Sequence, residues 1–263
     1  MKGYKYLNVN QNDLKITNKL SAEIFSLPMY PDLTNKEIES KSKSKDSSWK
    51  KDLFDKAIRK LSKHTAKGEL GELLIFTLLE VYLDAPKLLS KISTKTSPKM
   101  PVFGADAVHG QFHGDDFVVY LGESKLHKNY NGAASKAVKS ILSAKDGYEI
   151  EFDLLDSSMD FPNIDEAMSN KLLDIINPYK ESGIKENIIS PCFIGFSEET
   201  FFNSISSEEE VIDILCKELT NNVDYFYNVV DKESISYSEV VLLLMPFNCV
   251  DELVDGFVNY LGV

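Results

Sequence analysis

Apolar residues recur along this chain with two different periods, and the switches between them mark out its elements. Between Trp49 and His64, Leu53, Phe54, Ala57, Ile58 and Leu61 fall at helical spacing. From Gly68 to Leu83 the chain is apolar nearly all round, which predicts a buried helix packed against a sheet and ended by Pro86. The period then changes to two. Leu88–Thr96, Gly104–Phe112 and Phe117–Lys125 read as strands, with Pro98 and Pro101 in the loop after the first. His113-Gly114-Asp115-Asp116 has the composition of a tight turn, so the second and third strands form a hairpin. Helical spacing returns over Ala133–Ala144, with Ala134, Ala137, Val138, Ile141 and Leu142 inward and Lys136 and Lys139 outward.

The second half continues the alternation. A strand is expected near Tyr148–Leu154, a helix around Asp165–Ile176 and a strongly apolar strand over Ile188–Phe196. Ser207–Val230 reads as a helix with Ser207 as N-cap and Glu210 in capping-box position. Tyr225, Phe226 and Tyr227 fit its core face better than a base-stacking platform. Val240–Pro246 reads as a central, fully buried strand, and Val250–Leu261 as a terminal helix. The fold class is α/β (α+β), a mixed central sheet flanked by helices.

Residues 1–48 stand apart as a small N-terminal addition. Pro28 and Pro31 limit them to short elements, a strand near Tyr4–Val9 and a helix around Leu14–Leu27. The Lys/Ser run over 41–48 has nothing to bury and reads as a flexible linker. The main domain then spans 49–263.

Composition narrows the classes. No apolar run approaches the roughly 18 residues of a membrane span, and the first residues lack the apolar core of a signal peptide. Cys192, Cys216 and Cys249 are scattered, which speaks against a disulfide framework or a zinc cage. The expectation is a cytoplasmic protein with no membrane partner. Net charge is −12, but residues 1–66 carry +6, residues 67–139 carry +1 and residues 140–263 carry −19. Any surface that binds a phosphate backbone should therefore come from the first half. The acidic half reads as solvated surface or as a docking face for a basic partner.

The candidate chemistry gathers on the hairpin. Period-two geometry puts Glu123 and Lys125 on one face at the end of the third strand. Asp106 lies seventeen positions earlier, so an antiparallel return brings the two carboxylates side by side. Near the start of the apolar helix, Glu69 and Glu72 share a face; they either complement the helix dipole or join the site. Glu72, one residue before the continuous apolar run, is the preferred partner. Hydrolysing a phosphodiester requires an activated water and relief of charge on the scissile phosphate. Mg²⁺ (or Mn²⁺) held by Asp106, Glu123 and a helix glutamate supplies both. Lys125 beside them suits orientation of the water or stabilisation of the transition state. His127 and Lys128, just past the strand, and Lys136 and Lys139 on the next helix are candidate contacts to a nucleic-acid backbone. His109 and His113 lack further ligands for a zinc site and are assigned no metal role.

Helix with Glu, strand, strand with Asp, strand ending in E-x-K, helix with Lys, later strand: this order resembles the restriction-endonuclease-like core of the PD-(D/E)xK nuclease superfamily. The superfamily's first Asp maps to Asp106, preceded by Ala105 rather than Pro, and its (D/E)xK to Glu123, Ser124 and Lys125. More narrowly, GELGE at 68–72, GADAVHG at 104–110 and GESK at 122–125 resemble the HamA family, the nuclease subunit of the Hachiman anti-phage defence system. The resemblance implies a DNA-cleaving effector that works with a superfamily-2 helicase of the HamB type. Two rivals share these residues: a catalytically silent nuclease-fold scaffold that docks a partner, and a metal-dependent ribonuclease. The intact Asp106, Glu123 and Lys125 speak against the first. A transcription regulator would need a helix-turn-helix or a strong basic face, and neither is evident.

Overall fold

A computed structural model of the protein describes residues 65–85, 87–90, 105–114, 116–147, 187–204 and 208–262. The elements expected in residues 1–64, over 148–154 and over 165–176, and the rest of the Leu88–Thr96 strand, lie outside the described residues. In chain order the elements are α1 (Ala66–Tyr82), β1 (Lys87–Ser90), β2 (Ala107–His113), β3 (Asp116–His127), α2 (Tyr130–Asp146) and β4 (Ile188–Ser197). There follow α3 (Glu199–Ser204), α4 (Glu208–Lys232), β5 (Val240–Phe247) and α5 (Val250–Leu261). The strands form one five-stranded mixed sheet in the order β1-β2-β3-β4-β5. The first three run antiparallel, and β4 and β5 join parallel to β3 and to one another.

Side-chain alternation divides the core into two layers. On one face Ile75 and Leu79 of α1 pack with Ala107, Leu126 and Phe193, and α5 adds Val250. On the other, Ala133, Ala137, Val138 and Ile141 of α2 meet Cys192, Ile194 and Phe196 of β4 and Phe226 and Val230 of α4. Burial of each Leu, Ile, Val or Phe among them contributes on the order of 1.5–3 kcal/mol. The helix α1 is apolar nearly all round because it has the sheet on one side and α5 on another. Phe226 is fully buried, and Tyr225 and Tyr227 pack beside it, as core rather than platform.

One expectation is corrected. Val240–Pro246 is not a central, fully buried strand: β5 is the last strand of the described sheet, and only Val240 is buried along it. Its unbroken apolar run has another cause. Leu242 and Leu244 face the α2–α4 layer while Leu243, Met245 and Phe247 face the α1–α5 layer, so both parities must be apolar even at the sheet's end.

The β2–β3 hairpin forms as its composition requires. His113 pairs with Asp116, and the chain turns back between them through Gly114. Gly114 has φ +64°, a left-handed conformation that glycine adopts without a Cβ penalty. Helix α2 begins three residues after β3, capped by Asn129, whose side chain accepts from the Gly132 N–H at 3.0 Å. No helix among the described residues is long and apolar enough to cross a membrane.

Candidate functional site

The candidate site lies at the open end of the hairpin, where the β2–β3 ladder stops. Strand register runs unbroken from His113–Asp116 to Ala107–Gly122. One step further, the Asp106 N–H donates to the Gly122 carbonyl at 2.9 Å, which sets Asp106 across from Glu123. There the carboxylate takes over from the backbone. Asp106 Oδ2 accepts from the Ser124 N–H at 2.9 Å and from the Ser124 hydroxyl at 2.8 Å. The residue between Glu123 and Lys125 therefore fixes the aspartate by two bonds.

Alternation along β3 turns Ser124 toward α1. A Cβ placed on Gly71 would lie 2.9 Å from Ser124 Oγ, closer than such contacts allow. The second glycine of GELGE thus lets α1 settle directly on the serine that holds Asp106. Gly122, two residues earlier on the same face, accommodates Ile75 and Leu79 in the same way.

Glu123 and Lys125 point to the opposite face. Glu123 is buried, and the Lys125 ammonium donates to its Oε1 and to the Ser124 carbonyl at 3.2 Å. Cys192 of β4 pairs with Glu123 and forms the floor. Burial first, then the Glu123 and Asp106 charges, push its thiol well above the usual range against the opposing pull of Lys125. The floor is therefore neutral, and the charge of the site resides in the two carboxylates and the lysine above it.

The two glutamates of α1 differ. Glu69 is buried, its Oε1 accepting from the Thr65 hydroxyl at 2.6 Å. Glu72 is half-buried and lies on the helix between Gly71, which meets Ser124, and Phe76, whose ring packs edge-on against His109 of β2 at 4.6 Å. Among the described residues, no three His, Cys, Asp or Glu side chains converge as a metal-holding group. The backbone register sets Asp106 across from Glu123, whose carboxylate takes Lys125, while the Asp106 carboxylate is held by Ser124. For a hard divalent cation the donor chemistry still fits, since Mg²⁺ commonly takes one or two carboxylates and keeps several waters.

A sequence model of the HamA family matches residues 6–261. The chain belongs to the HamA family. Membership makes it a component of the Hachiman defence system. No curated protein matches it.

Around this HamA centre the candidate backbone-binding residues fall into two groups. Lys136 and Lys139 are exposed one turn apart on the outer face of α2. His127 is engaged locally, its Nδ1 accepting from the Asn129 N–H at 3.0 Å. Lys128 is exposed but bound to Asp251 of α5 at 2.7 Å, and Lys67 of α1 reaches the same carboxylate at 3.3 Å. His109 is fully buried with Nδ1 on the Ala85 carbonyl at 2.8 Å, and the exposed His113 lies 3.4 Å from the Tyr120 hydroxyl. Three residues of this neighbourhood escape a reading of the sequence: Ser124, Lys67 and Asp251. For Ser124 a signal existed, a hydroxyl of opposite parity to the E-x-K pair, facing a helix that carries glycine.

Proposed function

We propose that this HamA chain is a metal-dependent DNA nuclease of the PD-(D/E)xK type, the effector subunit of a defence complex with a helicase. The observation that carries the reading is the hairpin register, which sets Asp106 across from Glu123 with Lys125 on the Glu123 carboxylate. Asp106 and Glu123 would hold Mg²⁺ (or Mn²⁺), with Glu72 acting through water. The ion, when bound, lowers the pKa of a water and relieves charge on the phosphate.

The chain's own residues supply position and charge. Ser124 fixes one oxygen of Asp106, so the carboxylate presents itself in one orientation. Lys125 offsets part of the Glu123 charge and places a cation where negative charge grows as water attacks phosphorus and the P–O bond to the leaving group breaks. Buried Cys192, Phe193 and Ile194 of β4 lower the local polarity beside Glu123, which strengthens its interaction with a cation. The charge balance fits a helicase partner: a chain with −19 over residues 140–263 gains from a second protein that grips the DNA.

Incubating the chain, alone and with the neighbouring helicase subunit, with supercoiled plasmid, linear DNA and RNA tests this reading. DNA should be cut in Mg²⁺ and left intact in EDTA. Cleavage that persists in EDTA, or that consumes RNA alone, refutes it. A finer test concerns the clamp. Ser124→Ala removes one of the two bonds to Asp106, and affinity for Mn²⁺, read by calorimetric titration, should fall about 10- to 100-fold, the usual scale for losing an orienting partner of a metal ligand. Unchanged Mn²⁺ affinity would make Ser124 a packing residue only.

A further inference from the structure

One carboxylate joins two lysines from separate elements at the site's edge. Asp251 Oδ1 meets Lys67 Nζ at 3.3 Å and Asp251 Oδ2 meets Lys128 Nζ at 2.7 Å. Lys67 stands in the first turn of α1, four residues before Gly71; Lys128 follows β3, four residues after Ser124. Gly71 and Ser124 touch, so the lysine pair flanks the same end of the sheet as the candidate centre. Asp251 arrives on the first turn of α5, anchored where the Val250 N–H donates to Ser197 Oγ at 3.0 Å at the end of β4.

The arrangement is that of a phosphate between two ammonium groups, each oxygen taking one cation. The two lysines hold the Asp251 carboxyl below its usual range, with Lys128 the stronger influence. All three side chains remain open to solvent, at 39% for Lys67, 45% for Asp251 and 69% for Lys128, so an incoming anion can replace the carboxylate without unfolding any element. The acidic half of the chain thus projects a carboxylate onto cations of the basic half.

We propose that Lys67 and Lys128 form a subsite for a backbone phosphate of DNA, and that Asp251 occupies it as an internal substitute until DNA displaces it. The proposal rests on the nuclease reading for the identity of the polyanion. Asp251 then lowers the intrinsic DNA affinity of the free chain while leaving the cutting residues in place.

The test is binding of the full chain to a labelled short DNA duplex, followed by fluorescence anisotropy in EDTA across a series of salt concentrations. Asp251→Asn should bind roughly threefold to tenfold tighter, as expected for releasing two exposed ion pairs. The slope of log affinity against log salt should steepen by up to about two, one for each lysine freed. Adding Lys67→Gln and Lys128→Gln to Asp251→Asn should remove the gain. Unchanged affinity and slope in Asp251→Asn overturn the proposal, as does absence of binding in every variant. It is also overturned if the gain survives loss of both lysines, since that marks a general charge effect. If Asp251→Asn tightens binding but no variant cuts DNA, the nuclease reading falls and the subsite stands; if the chain cuts DNA but Asp251→Asn binds it no better, the reverse holds.

Discussion

Glu123→Gln should lower the rate of DNA cleavage by about a thousandfold or more, with little change in thermal stability. The substitution preserves the shape of a buried side chain and an acceptor for the Lys125 ammonium, so packing over Cys192 is kept. What it removes is one of the two negative charges that suit a divalent cation. Losing several kcal/mol of charge stabilisation in the transition state corresponds to a factor of about 10³ or above. Lys125→Met should cost about 10²- to 10³-fold, because it withdraws a positioned cation and leaves the carboxylates in place. The two variants also separate by mechanism. Glu123→Gln should weaken Mn²⁺ binding, whereas Lys125→Met should leave it equal or tighter, since the ammonium and the metal ion compete for the same carboxylate. Plasmid cleavage time courses and calorimetric Mn²⁺ titrations read both; retention of wild-type rates by Glu123→Gln would remove Glu123 from the chemistry.

The second large effect is acid lability from His109. Full burial, only partly offset by the bond to the Ala85 carbonyl, lowers its pKa from 6.5 to about 4. The nearby Lys87, itself lowered by burial, pushes the same way. The folded chain therefore holds this ring neutral while the unfolded chain protonates it. The unfolded state binds the extra proton between these two values, so stability is full above pH 6.5 and falls as the pH drops toward 4. Across that window the loss amounts to about 3 kcal/mol. Urea midpoints measured across it should decline steeply for the wild type and more gently for His109→Asn, which keeps a donor for the Ala85 carbonyl without an ionisable ring. Equal slopes for the two proteins would show that His109 does not carry the effect.

Much of the centre was legible because its geometry follows from strand periodicity and turn chemistry. Gly114 in the left-handed region fixes the hairpin register, and the register alone brings Asp106 across from Glu123. The same period-two rule set Lys125 on the Glu123 face. Where the reading went astray, the deciding forces act between elements. The apolar run of β5 reports two covered faces and not its position in the sheet, so the last strand of the described sheet reads like a central one. The burial of Glu69 under a hydroxyl one turn upstream is likewise set by contacts that spacing along the helix does not display. The Asp251 bridge joins residues 184 positions apart, which no local pattern reveals. Ser124 is the instructive case: a position that a motif leaves unspecified carries the hydrogen bonds that orient the aspartate beside it.

On the proposed function these contacts divide the labour: the hairpin carries the carboxylates and the lysine for cutting, and Asp251 restrains two cations proposed to grip DNA. The most direct measurement of the central proposal is the metal dependence of plasmid cleavage by the purified chain and its Asp106→Asn variant, in the presence of the helicase subunit. The expected result is a cleavage rate that rises with Mg²⁺, vanishes in EDTA and is lost in Asp106→Asn at every Mg²⁺ concentration. Cleavage by Asp106→Asn at the wild-type rate, or at a rate indifferent to Mg²⁺, would contradict it.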